Sequence, residues 1–326
     1  DSLREGEAKT PGSWKHKSSR MLSRVAEKLY WMARYLERAE NTARLIRSYN
    51  RLILDIPVGS EPSWLILADI LDATPDFKRA YSDVSEQNIH RFLIRRKTAK
   101  NSLHFSISQA RENIRTTRDV LPEDAWELIN ETFIFVSDEA KKTSSRRPRM
   151  LFLDKLIQHT QTLSGLLETT LYRDHTYRFM KLGTLTERAD MTTRILDVGA
   201  GDILEREGDF SSIDPILWAA LLETLSAKSA FRRIIGPILE KDSVIDFIIN
   251  EKDFPRSIHH CLNETRNLIL SLPQSKEAIQ QLDRTRRRVR RFKSNKKKEA
   301  QLHQFIGSLQ ANLVDLDIAI HLKWFS

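Results

Sequence analysis

Residues 186–204 read TERADMTTRILDVGAGDIL, and two folds compete for them. Ile195-Leu196-Asp197-Val198 followed by Gly199-Ala200-Gly201 has the form of a strand entering a glycine loop, an arrangement that grips nucleotides. The same stretch carries acids, arginines and apolar residues three and four positions apart, the spacing of a helix face. The choice decides between an α/β chain and an all-α chain.

Comparison of the chain with itself settles it. LERAENTARLI (36–46) matches TERADMTTRIL (186–196) at an offset of 150, and WLILADIL (64–71) matches WAALLETL (218–225) at 154. FLIRRKTAKNSLHFSISQAR (92–111) matches FIINEKDFPRSIHHCLNETR (247–266) at 155. Matches in the same order with slowly drifting offset predict a tandem duplication. Copy one covers about 21–145, a bridging helix about 150–173, and copy two about 174–326. In copy one the glycine positions hold Tyr49, Asn50 and Arg51, so the repeated unit has no glycine loop. The third loop glycine is replaced by Ile203, and no alternating strand–helix units follow. An S-adenosylmethionine loop of the methyltransferase type is therefore rejected, and the glycine pair reads as a helix C-cap. The expected fold is all-α, two tandem-duplicated helical lobes related by a pseudo-twofold.

Composition agrees. Only 10 glycines and 10 prolines punctuate 326 residues, which favours long helices over many tight turns. In copy one, Ser23 is placed to cap a helix whose apolar stripe runs Val25, Leu29, Met32, Leu36, Ala39, with nothing to stop it before DIPVGSEP (55–62). Residues 1–20 lack periodicity and are expected to be a disordered tail or linker, with Met21 the natural start of the structured part. The single cysteine, Cys261, excludes an internal disulfide, and no apolar run is long enough for a signal peptide or membrane span. A cytoplasmic location is expected. The net charge of +9 is concentrated in RTRRRVRRFKSNKKK (284–298), ten basic residues without an acid.

The candidate site lies on the repeated Glu-Arg segments. Glu37, Glu40, Asn41 and Arg44 fall at i, i+3, i+4 and i+7, with Arg34 and Tyr30 extending that face. Glu187, Asp190, Met191 and Arg194 take the matching places, and Arg38 and Arg188 sit one residue round. Ladders of this kind stabilise helices modestly or fix the register of two lobes. Facing each other across a pseudo-twofold, they would form a polar pocket suited to a zwitterion, a peptide terminus or a phosphorylated ligand. In an enzyme, Glu37 or Glu187 would be the candidate general base, with Arg38 and Arg188 holding an anionic group. Ser102 and Ser257 read as N-caps, and Arg111 and Arg266 as possible braces of the ladders. His104, His259 and His260 read as packing residues, and no metal or cofactor is expected. Segment 284–298 offers nucleic-acid or anionic-surface binding as an alternative, though it lacks a stacking platform, so nucleic acid is not the expected partner.

AEKLYWMARYLERAENTARLI, FMKLGTLTERADMTTRILDV, QARENIRTTRDVLPEDAWELIN and DFPRSIHHCL together resemble the alpha-E domain family over about 21–326. That is a bacterial family of unassigned function named for its helices and a Glu-Arg signature. The signature falls on Glu37-Arg38 and Glu187-Arg188, while Ala33 and Thr184 stand where a glycine and an arginine are more typical. The resemblance implies partnership with a circularly permuted ATP-grasp protein, and at times with a transglutaminase-like protein, in a peptide-synthesis or peptide-modification system.

Overall fold

The structure is a computed structural model that describes residues 18–204, 213–294 and 299–326. Among the described residues it is helical without strands. The first half holds α1 (Ser18–Asp55), the short α2 (Ile66–Ile70), α3 (Thr74–Ala80) and α4 (Glu86–His90), then α5 (Leu103–Arg115), α6 (Glu123–Glu139) and α7 (Arg146–Thr170). The second holds α8 (His175–Leu204), α9 (Asp214–Thr224), α10 (Lys228–Ile234), α11 (Lys241–Asn250), α12 (Ile258–Leu270), α13 (Lys276–Arg291) and α14 (Glu299–Ile320). A π-helical turn, His321–Phe325, closes the chain.

Helices α1 and α8 form the axis of the molecule. From Leu29 to Leu52, α1 buries residues on nearly every face, so it reads as a core helix rather than an amphipathic one. It stops at Asp55 because Pro57 lacks an amide hydrogen and biases Ile56 away from helix. Helix α8 lies against it in the same direction, with Tyr30 beside Gly183, Arg34 beside Glu187 and Glu37 beside Arg188. At Gly183 the two backbones touch. A Cβ there would sit 2.2 Å from the Tyr30 carbonyl oxygen, so this crossing requires glycine.

Helices α5, α7 and α9 pack on α1, while α12, α14 and α2 pack on α8. The matching segments 64–71 and 218–225 thus each lean on the long helix of the other half. Ser102 and Ser257 cap α5 and α12, accepting from the amides of Phe105 and His260.

Several expectations need correction. Helix α1 begins at Ser18, so Ser23 is an interior residue and 18–20 belong to the helix; residues 1–17 lie outside the described residues. The glycine pair is not a C-cap, because α8 runs through it to Leu204. Gly199 faces Leu221, where a Cβ would come within 3.3 Å of the leucine side chain, so helix packing uses the missing side chain. The bridging helix runs from Arg146 to Thr170 rather than over about 150–173. No helix among the described residues is long and apolar enough to cross a membrane.

Candidate functional site

The Glu-Arg pairs bond reciprocally across the α1–α8 contact. Arg188 donates from Nε and Nη2 to the two carboxylate oxygens of Glu37, at 3.0 and 2.9 Å. Arg38 does the same to Glu187, at 2.5 and 2.9 Å. Adjacent residues on a helix point about 100° apart, so neither arginine bonds its own neighbouring glutamate. Parallel packing with the two Glu-Arg pairs side by side gives each guanidinium the other helix's carboxylate, in a bidentate fork. Both carboxylates are buried, with 5% and 3% of the side chain exposed.

Around this core the network divides into two faces. On one, Arg34 bonds Glu187 at 2.8 Å and Asp317 of α14 at 2.9 Å, and lies over the Trp31 ring. The buried Tyr30 hydroxyl donates to the same Asp317. On the other, Arg256 donates to Glu37 and to the Asn41 side-chain oxygen, both at 2.7 Å, and to Glu40 at 3.1 Å. Arg44 bonds Glu40 at 2.9 Å and Ser226 at 2.6 Å. Asp190 and Arg194 close an i,i+4 pair at 2.9 Å further along α8. Eight of the ten residues expected of the site, Arg34, Glu37, Arg38, Glu40, Asn41, Arg44, Glu187 and Arg188, lie in this network, whereas Asp190 and Arg194 pair with each other, and Arg194 with Asp72, apart from it. Sequence reasoning missed Arg256 and Asp317. Arg256 had a readable signal, since it directly precedes the Ser257 cap within DFPRSIHHCL. Asp317 had none.

Burial pushes both glutamates up, but the guanidiniums and their hydrogen bonds outweigh it. Arg188 and Arg256 hold Glu37 well below the usual carboxylate range. Arg38 and Arg34 bring Glu187 from an ordinary 4.5 down to about 2. Such carboxylates make poor proton acceptors near neutrality, so the geometry favours binding over general-base chemistry. It also sets a pH dependence. Below about pH 4.5 the unfolded chain takes up a proton at Glu187 that the folded chain refuses, so stability is lost progressively as pH falls towards 2. The loss from this group is on the order of 3 kcal/mol. Glu37 acts in the same direction, while burial raises Asp190, which opposes it. The urea midpoint should therefore hold between pH 7 and 5 and drop by pH 3; an unchanged midpoint at pH 3 would contradict the bridges.

The Glu37 face opens onto a cleft of about 440 Å³ between α1, α7, α8 and the turn before α12. Glu37, Glu40, Arg44, Arg188 and Arg256 line one end. Lys181 and Glu168, joined at 2.8 Å, line the other. Gln161, Ser164 and Gly165 of α7 form a neutral wall, and Met32, Leu36, Leu167 and Met180 an apolar floor. The volume is that of small-ligand sites. Glu187 is not among its lining residues.

Other candidates fall elsewhere. Arg111 bonds Asn130 and stacks on Phe133, and Arg266 pairs with Asp283, so neither braces the ladders. His104 contacts Ser108, and His259 and His260 bond the carbonyls of Asn250 and Lys252. Among the described residues no group of three His, Cys, Asp or Glu side chains is placed to hold a metal ion. In the basic segment, Arg284, Arg287, Arg288 and Arg291 form an exposed stripe on α13, on a different helix from the ladders; residues 295–298 lie outside the described residues.

Over residues 21–325 the chain matches the Alpha-E family, described as a predicted alpha-helical domain with a conserved ER motif, and it belongs to that family. Two of its Glu-Arg pairs are the ones that form the reciprocal bridges. No curated protein matches the chain, and no solved structure does.

Proposed function

We propose that this Alpha-E protein is the helical binding component of an ATP-grasp-linked peptide-synthesis or peptide-modification system. It engages the ligase, or the ligase's peptide or acyl substrate, through the paired Glu-Arg ladders. One observation carries the reading: a cleft of small-ligand size opens on the Glu37 face of the ladder, where buried arginines and carboxylates converge. A purely structural ion-pair lattice has no need of such an opening. The reading takes the halves as copies of one unit, supported by the reciprocal bridges and the matching serine caps. The ATP-grasp protein and any transglutaminase-like partner come from the family resemblance.

Gly165 supplies the test. It sits in α7 on the cleft wall, and a Cβ there meets nothing within 4 Å. Gly165→Leu fills the cleft without touching the ladder and replaces a poor helix former by a good one. The variant should melt no lower than the parent yet lose peptide binding in calorimetry. Equal binding by both proteins would place the ligand outside the cleft. Failure of the parent to bind both peptides and a circularly permuted ATP-grasp protein at micromolar concentration would sink the proposal.

A further inference from the structure

The charges of the cleft do not cancel, and the imbalance has a single source. Glu37 is already neutralised by the bidentate fork of Arg188, and Glu40 by Arg44. Arg256 shares those same two carboxylates and has none of its own. The ladder end of the cleft therefore holds three guanidiniums against two carboxylates. Lys181 and Glu168 balance each other at the far end. At the offset of 155 that relates the flanking segments, the position of Arg256 in the first half is Asn101. The extra cation thus belongs to one half only, which a symmetric structural lattice would not require.

Donors and acceptors tell the same story. Glu37 accepts from Arg188, Arg256 and Asn41. Among the described residues, Arg188 Nη1 and Arg256 Nε bond no protein group, although both side chains line the cleft. An incoming ammonium meets carboxylates that are largely occupied. An incoming carboxylate meets spare N–H groups and one uncompensated charge, the condition for a strong charge-assisted bond. The Gln161 amide and Ser164 hydroxyl are likewise uncommitted among the described residues and stand on the adjoining wall, where an amide group could pair with them. Beside them lie Met32, Leu36 and Met180, with Met32 to Arg44 spanning about 18 Å of α1 at the helical rise of 1.5 Å per residue. That length accommodates about five extended residues.

We propose that the cleft takes the C-terminal end of a peptide, its carboxylate held by Arg256 and Arg188 and its last side chain on the methionine–leucine floor. This rests on the cleft being the binding site named above, and it adds the ligand's polarity and end. Arg256 is then the residue that sets specificity for the free acid.

The test uses the full chain and pools of acetylated tetrapeptides ending in alanine, leucine, methionine or phenylalanine. Each pool is made as the free acid and as the C-terminal amide, and titrated to millimolar concentration by calorimetry. The acids should bind at least about tenfold more tightly than the amides, the difference expected of one hydrogen-bonded charge pair. In Arg256→Gln the acid–amide difference should shrink towards zero while Gly165→Leu loses both. Should Arg256→Gln fail to fold, Arg256→Lys keeps the charge without the fork and should retain part of the preference. Equal binding of acid and amide overturns the carboxylate assignment but leaves a peptide cleft standing. No binding of either removes the cleft reading as well. Free leucine binding as tightly as the leucine-ended peptide would make the ligand a small amino acid and overturn the peptide assignment.

Discussion

Gly183→Ala should lower unfolding stability by roughly 3 kcal/mol, the upper range for an overpacked core, although alanine is the better helix former by about 1 kcal/mol. The added Cβ would meet the Tyr30 carbonyl oxygen at 2.2 Å and its carbon at 2.9 Å. Neither atom belongs to a side chain that can turn away. Tyr30 itself is wholly buried and bonded to Asp317, so α1 has no room to retreat locally. The helices must separate, and separation lengthens both reciprocal bridges one turn further on. Gly307→Ala in α14 is the internal control, since a Cβ there meets nothing within 4 Å. It should raise stability by up to about 1 kcal/mol. Opposite signs for the same chemical change, read as urea midpoints, are the expected result. A Gly183→Ala protein as stable as its parent would mean that the crossing tolerates wider spacing and that the ladder is not set by backbone contact.

How far the sequence revealed this arrangement depends on the range over which each feature acts. Helix periodicity in LERAENTARLI and TERADMTTRIL exposed the ladders because i, i+3 and i+4 neighbours are local. The offset of 150 placed Glu37 with Glu187 and Arg38 with Arg188, but nothing local says that each glutamate bonds the other helix's arginine. That follows from parallel packing, which Gly183 permits. Gly199 misled because a helix-stopping glycine and a helix-packing glycine look alike until Leu221 is seen beside it. Arg111 and Arg266 hold matching places in the two halves, yet they serve aromatic and aspartate neighbours that are not part of the ladder. The cleft was the least legible part. Its wall consists of Gln161, Ser164 and Gly165, residues with no chemical signature, and its charge excess comes from an arginine that lies in a turn 219 residues from Glu37.

Glu187→Gln should cost about 3–5 kcal/mol, the usual consequence of breaking a buried ion pair. The change is nearly isosteric, so packing is kept and charge alone is removed. It leaves Arg34, 11% exposed, with Asp317 as its remaining carboxylate, and strands Arg38, 16% exposed, without one. Glu112→Gln, in a pair that is 53% exposed on both sides, should change stability by less than about 1 kcal/mol. A double change, Glu187→Gln with Arg38→Gln, should cost less than the sum of the singles, because the second removes a guanidinium that the first left unpaired. Glu37→Gln should be destabilising for the same reason, but the two glutamates part company at the cleft. Glu187 turns to the Asp317 face, so Glu187→Gln should leave the affinity for peptide acids unchanged in the folded protein. Glu37 competes with a bound carboxylate for Arg188 and Arg256, so Glu37→Gln should tighten that affinity even as it lowers the melting temperature. Melting and calorimetry on the two variants thus separate what the ladder does for the fold from what it does for a ligand. Equal affinity in both would assign the whole lattice to holding the helices together.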